Sequence, residues 1–352
     1  MINDYGWSDG LQRAFTPFAE RGFTPGRVLV QQRGLLGLIT YDGEVQAELS
    51  GRFQHEAGPG VHPVAGDWVA VAVRPDEGTA TIHGLVPRTS RFTRKGPTGV
   101  QVVAANVDTA FLATSLNADF SVRRLERYLA NAYEGGADPV IVLTKADLCE
   151  EVDACVAEAE AVAYGVPVIA VSALEGRGLE ELERHLRPGR TAVVLGMSGA
   201  GKSTLVNSLA GESRMATQEI ISEGARGRHT TTHRELVRLP SGALLLDTPG
   251  MREIGVFGAD EGVSAIFADI DDLAADCRFS NCRHEREPGC AVREALESGD
   301  LDPGRWRSYQ KLQKELAFEQ RKEDPALREA ARQVWMKRAK ANRARMKFRD
   351  KP

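Results

Sequence analysis

The segment Gly196-Met197-Ser198-Gly199-Ala200-Gly201-Lys202-Ser203-Thr204 constrains this chain more than any other stretch. It fits the phosphate-binding pattern G-x4-G-K-[ST]. The apolar run Ala192–Leu195 precedes it and a helical pattern, Lys202–Leu209, follows. Glycines let successive backbone N–H groups turn inward around phosphate oxygens, and the helix N-terminus adds positive potential. In such a loop Lys202 is expected on the β- and γ-phosphates, and the Ser203 hydroxyl on Mg²⁺. A strand, this loop and a helix in succession demand a parallel sheet with the loop at its edge.

ATPases, kinases and GTPases share that loop, so other residues must name the base. Thr144-Lys145-Ala146-Asp147 follows the apolar run Pro139–Leu143. An Asp there accepts from guanine N1–H and the exocyclic amine, a pair that adenine lacks, and Lys145 would lie along the base. Ser172-Ala173-Leu174 follows another apolar run and can offer a backbone N–H to guanine O6. Asp247-Thr248-Pro249-Gly250 follows Ala243–Leu246 and fits the element that holds Mg²⁺ through water and senses the γ-phosphate. Each is unspecific alone. Together, each ending a strand, they imply a guanine-nucleotide site with GTP or GDP and Mg²⁺ as its ligands.

The chain order is permuted. The base motif and Ser172-Ala173 precede the phosphate loop, whereas most GTPases place them after it. Site geometry depends on strand position and not on chain order, so the same sheet can close. Between the loop and Asp247 lies Gly224-Ala-Arg226-Gly-Arg228-His229-Thr230-Thr231-Thr232, where a Mg²⁺-ligating switch Thr belongs. Thr231 is the first candidate and Thr230 the second; the alternative is a polar strand start. Met251 stands where many GTPases carry a water-orienting Gln, so intrinsic hydrolysis should be slow unless another group substitutes. His229 is the candidate, set against a merely solvated loop histidine. Lys202, Thr231 and His229 form the expected catalytic set.

Residues 27–84 hold short apolar segments between Gly-rich turns: Arg27–Gln32, Leu35–Tyr41, Glu44–Leu49, Asp67–Arg74 and Thr79–Gly84. Strands at this spacing suggest a small barrel of OB type, with an SH3-like barrel open on periodicity alone. Pro87–Gly99 reads as a linker. From Asp108 the pattern alternates strand (Asp108–Leu116), helix (Val122–Glu134), strand, helix (Val152–Tyr164) and onward to Leu209, which implies a parallel sheet covered on both faces. The expected division is 1–26 as an extension, 27–90 as the barrel, 91–255 as an α/β nucleotide domain and 256–352 as a mostly helical metal-binding domain. A long basic helix, Trp306–Phe348, closes the last.

Cys277-x4-Cys282-x-His284-x5-Cys290 gathers three thiols and an imidazole, a set suited to a closed, tetrahedral structural zinc; reduced, partly buried cysteines are the alternative. Cys149 and Cys155 flank a helix start and read as packing residues. Five cysteines argue against a disulfide framework. No apolar run approaches the ~20 residues of a membrane helix, so no membrane partner and a cytosolic location are expected. Net charge is −4, but Arg305–Pro352 carries 16 Lys/Arg against 6 Asp/Glu. A basic tail on an acidic body suits a phosphate-rich surface, RNA among them, although a solvated charged helix has the same composition. Aromatics look sparse in the N-terminal region, which argues against base stacking there.

Taken together, Gln101-Val-Val-Ala-Ala-Asn-Val-Asp108, the permuted order, Gly196–Thr204, Arg228-His-Thr-Thr-Thr232 and the Cys/His cluster resemble the ribosome small-subunit-dependent GTPase A family, RsgA or YjeQ. The resemblance covers nearly the whole chain. It implies an OB barrel, a permuted GTPase domain and a zinc-binding helical domain. It also implies a partner, the small ribosomal subunit with its rRNA, a role in late maturation of that subunit, and hydrolysis stimulated by it. A monomer is expected. Many members of the family have Asn where this chain has Thr144, which keeps a hydroxyl and loses the amide; weaker guanine affinity is expected, with Asp147 preserving specificity. The competing readings are an RNA-binding assembly factor in which nucleotide only sets conformation, and a P-loop ATPase or small-molecule kinase.

Overall fold

The computed structural model describes residues 1–31, 35–56, 61–96, 99–117, 120–163, 165–211, 234–247, 260–323 and 329. By Cα proximity the chain divides into two compact units, Met1–Gly255 and Val256–Pro352.

The first unit opens with helix α1 (Asp9–Ala19), capped by Ser8, whose side chain accepts from the Leu11 N–H. Leu11, Ala14, Phe15 and Phe18 recur at helical spacing and pack with Trp7, Phe23 and Trp68. Strands β1 (Thr24–Gln31), β2 (Leu36–Ile39), β3 (Glu44–Leu49), β4 (Trp68–Arg74) and β5 (Thr79–Leu85) form the barrel, with α2 (Gly51–Glu56) between β3 and β4. The pairings run β1–β2–β3–β5–β4 and return to β1, with β3 and β5 parallel. That closed order, with a helix after β3, is the OB arrangement and removes the SH3-like alternative. Val28, Leu38, Val69, Val71 and Ile82 fill the interior. Aromatics in this region prove less sparse than expected, but Trp7, Phe15, Phe18 and Trp68 are spent on packing α1 against the barrel and form no open platform.

The expected linker Pro87–Gly99 is not one. It contains β6 (Arg91–Gly96), paired antiparallel with β7 (Gly99–Ala105) from Arg91↔Ala105 to Gly96↔Gly99. The Arg and Lys content disguised a hairpin. Phe92 is its buried anchor, with its ring against Gly135 at a distance that leaves no room for a Cβ there.

The rest of the unit is β8 (Thr109–Ser115), α3 (Val122–Gly135), β9 (Asp138–Thr144), α4 (Val152–Glu160), β10 (Val168–Val171), α5 (Leu179–Glu183), β11 (Thr191–Leu195), α6 (Lys202–Ala210), β12 (Arg234–Arg238) and β13 (Leu244–Asp247). Their order across the sheet is β10-β9-β8-β11-β13-β12, parallel except for β12. The apolar runs are buried on both faces, as a covered parallel sheet requires. β12 also pairs with β1 (Val30↔Glu235), so barrel and parallel sheet share one continuous ladder. From β8 the chain steps outward to β9 and β10, then returns to β11 on the other side of β8. The strand order therefore reverses between β8 and β11, and a crevice opens there at the strand C-termini.

The second unit is helical among its described residues: α7 (Asp260–Ile266), α8 (Ala268–Ala275), α9 (Ala291–Ser298) and α10 (Pro303–Glu323). Val263, Phe267, Ile270, Val292, Leu312 and Leu316 are buried. Arg305 ties α10 to α8 through Asp269 at 2.6 and 2.8 Å. The Cys/His segment lies between α8 and α9. The basic stretch 337–352 lies outside the described residues.

Candidate nucleotide site and metal cluster

The phosphate-loop segment leaves β11 at the point of strand reversal. Gly196 has φ 152°, and a Cβ on it would lie 2.3 Å from the Ala113 carbonyl oxygen of β8, so only glycine passes. Gly201 caps α6 at φ 75°. The Lys202 ammonium folds back on the loop and donates to the Gly196 carbonyl at 2.7 Å and to that of Met197. Ser203 and Thr204 stand exposed in the first turn of α6.

Thr144 closes β9 and is buried. Its hydroxyl sits 2.8 Å from the Ala200 carbonyl and 3.2 Å from that of Thr114. One side chain thus joins the base-motif strand to the phosphate loop and to β8. Lys145 adopts φ 60°, a left-handed conformation that non-glycine residues hold only when their surroundings enforce it. Asp147 and Ser172, on neighbouring loops, meet. The buried Ser172 hydroxyl donates to the Asp147 carboxylate and holds it below the usual carboxylate range. Ser172 Oγ in turn accepts from the Glu175 N–H at 3.3 Å. Ala173 offers its carbonyl to Ser208 of α6 at 3.2 Å. Asp247 ends β13 opposite Glu235. Gly250, Met251, His229, Thr230, Thr231 and Thr232 lie outside the described residues.

Sequence reasoning missed one wall of this site. Arg124 and Tyr128 of α3 line a cavity of about 190 Å³ together with Lys145 and the loop residues Met197–Ala200. Helical spacing alone does not single out Tyr128; the tertiary position of α3 brings it beside the loop.

In the second unit the ligand atoms of Cys277, Cys282, His284 and Cys290 all lie within 4.8 Å of one another. His284 Nδ1 is 3.4 Å from Cys290 Sγ and 3.6 Å from Cys277 Sγ, and the two sulfurs are 3.9 Å apart. Zn–S and Zn–N bonds of ~2.3 and ~2.0 Å in a tetrahedron give edges of roughly 3.8 and 3.5 Å, so this donor set fits zinc. His284 sits at φ 58° in a loop wrapped around Glu287. The Glu287 carboxylate accepts from the N–H groups of Arg283, Glu285 and Arg286 at 3.0–3.2 Å, and backbone hydrogen bonding takes its pKa down to about 2. Burial pushes the Cys290 thiol up to about 11 when no cation shares the site. Cys149 and Cys155, both half-buried, are free thiols beside each other.

Among known proteins, a relative from Opitutus terrae named small ribosomal subunit biogenesis GTPase RsgA is 46% identical, covering 98% of this chain and 97% of that protein. One of the same name from Streptomyces coelicolor is 43% identical over 98% and 94%. The chain belongs to the RsgA GTPase family. The family model described as RsgA GTPase matches residues 85–257. An ABC transporter model matches 179–344, a span that includes the phosphate loop common to ATPases and GTPases. YjeQ from Thermotoga maritima has the same fold at a TM-score of 0.63 and 29% identity, over 84% of this chain and 98% of that one. YloQ, described as a circularly permuted GTPase, gives 0.62 and 26% over 84% and 95%. The fold class, the guanine-nucleotide enzyme class and the family resemblance of the sequence reading therefore stand. Among the described residues no helix is long and apolar enough to cross a membrane.

Proposed function

We propose that this RsgA family member binds the small ribosomal subunit and its rRNA in the cytoplasm, as a monomer, and hydrolyses GTP in the late maturation of that subunit. The observation that carries the reading is the meeting of three motifs at one sheet edge, where Thr144 bonds to the phosphate loop and Ala173 to the helix that the loop opens. The Opitutus terrae relative, named for small ribosomal subunit biogenesis, supports the partner.

In this reading the barrel of 27–90, the nucleotide domain of 91–255 and the zinc domain of 256–352 divide the work. Asp147 and Lys145 take the guanine edge and face, with Ser172 and Ala173 beside O6. The amides of Gly196–Thr204 and Lys202 cradle the phosphates. Ser203, an exposed hydroxyl at the helix start, suits a hard oxygen-seeking cation. With Thr231 and Asp247 it would hold Mg²⁺, which neutralises charge between the β- and γ-phosphates. His229 orients the attacking water in place of the missing Gln. Cys277, Cys282, His284 and Cys290 hold a structural zinc.

The test is GTP hydrolysis by the purified protein with small subunits, with large subunits and with neither. Stimulation by the small subunit alone is expected, by roughly tenfold or more if the subunit orders a catalytic group. GTP-dependent binding to the subunit without stimulation would replace this reading with an assembly factor whose nucleotide only sets conformation. That alternative draws on Met251 at the position of the usual Gln.

A further inference from the structure

Lys202 holds the phosphate loop from within; α3 holds it from outside. Lys202 donates to the Met197 carbonyl, and Tyr128 of α3 stands across a shared cavity from Met197. Arg124 stands one helical turn before Tyr128 on α3, and its guanidinium lies close enough to bear electrostatically on the Tyr128 oxygen. Both side chains line the cavity walled by Ser198 and Gly199.

We propose that Arg124 is an arginine supplied from within the chain to the phosphates of bound GTP, and that Tyr128 is the positioning residue that keeps loop and guanidinium in register. The inference rests on the nucleotide site proposed above. In hydrolysis the water oxygen forms a bond to the γ-phosphorus, and the bond from that phosphorus to the β–γ bridging oxygen breaks. The electron pair leaves with GDP, and the water proton goes to the released phosphate. Negative charge grows on the bridging oxygen and the γ-oxygens. A planar guanidinium can meet two such oxygens at once, which a lysine ammonium cannot. With Met251 in place of a Gln amide, charge neutralisation carries more of the catalysis.

The experiment combines single-turnover GTP hydrolysis, with and without small subunits, and titration with fluorescent GDP and a non-hydrolysable GTP analogue. The full-length chain is compared with R124Q, R124K, Y128F and R123Q, the last removing the exposed neighbour of Arg124. R124Q should lower kcat by roughly 10–100-fold while GDP affinity stays within about threefold, and R124K should recover part of the loss. Y128F should weaken GDP and analogue binding together and lower kcat. R123Q should match the wild type. A kcat for R124Q within about twofold of wild type, or a loss mirrored by an equal loss of GDP affinity, overturns the proposal. R124K, which keeps the stem and the charge, serves if R124Q fails to fold. A wild-type chain that neither binds nor hydrolyses GTP would overturn the nucleotide site itself, an outcome distinct from an active enzyme indifferent to Arg124.

Discussion

At the scale of single residues, the site depends on short polar side chains that fix other groups. Asp147 is half-buried, and hydrogen bonding from the Ser172 hydroxyl keeps its carboxylate ionised to lower pH than usual. A carboxylate with a depressed pKa retains its acceptor form above that pKa and loses it as pH falls through it. Guanine affinity should therefore persist on acidification below about pH 5, where an ordinary Asp begins to protonate. In Ser172→Ala the largest cause of the depression is gone, and the acid limb of a labelled-GDP titration should move up in pH. Superimposable limbs would detach Ser172 from Asp147. The Thr144 hydroxyl, within reach of the Ala200 and Thr114 carbonyls, joins the base-motif strand to the phosphate loop and to β8.

At the scale of elements, one buried arginine binds parts far apart in the chain. Arg27 of β1 is almost wholly buried, its guanidinium 5.1 Å from the Trp68 ring. It donates to the carbonyls of Tyr5, Gly66 and Asn106 and to Thr191 Oγ1, the last at 2.7 Å. Thr191 begins β11, whose other end carries the phosphate loop. Among the described residues no carboxylate pairs directly with Arg27; Asp67 is engaged by Arg88 and Asp108 by Arg190. Burial lowers its pKa to about 10, which leaves it charged at neutral pH. Neutral acceptors in several segments thus replace a counter-ion and fasten the stretch before α1, the barrel and the parallel sheet together. Arg27→Met removes the donors and leaves those acceptors dry, and should destabilise the first unit by about 2–4 kcal/mol in urea unfolding. A loss below about 0.5 kcal/mol, the range of a surface change, would mean that the clamp is dispensable.

At the scale of the whole molecule, the nucleotide motifs fall in one compact unit and the metal ligands in the other. A strong chelator should release one zinc per chain and unfold the second unit, while labelled GDP still binds the first. Differential scanning calorimetry with a chromogenic zinc assay follows both events. Loss of GDP binding in step with zinc release would contradict this independence. How much of this was legible in the residues varies with the range of the interaction involved. The loop pattern, the strand-ending motifs and the Cys/His spacing are local, because phosphate cradles and zinc sites need set residue types within a few positions of one another. They determined the guanine-nucleotide chemistry, the permuted order and the donor set. The β6–β7 hairpin stayed hidden because its run of Arg and Lys reads as a linker and its anchor, Phe92, packs on a residue 43 positions away, Gly135. The OB order rests on the parallel β3–β5 pair, a non-local contact that periodicity does not encode. Arg27, Tyr128 and the Ser172–Asp147 bond were likewise settled only in three dimensions, since each joins segments that chain closure alone brings together.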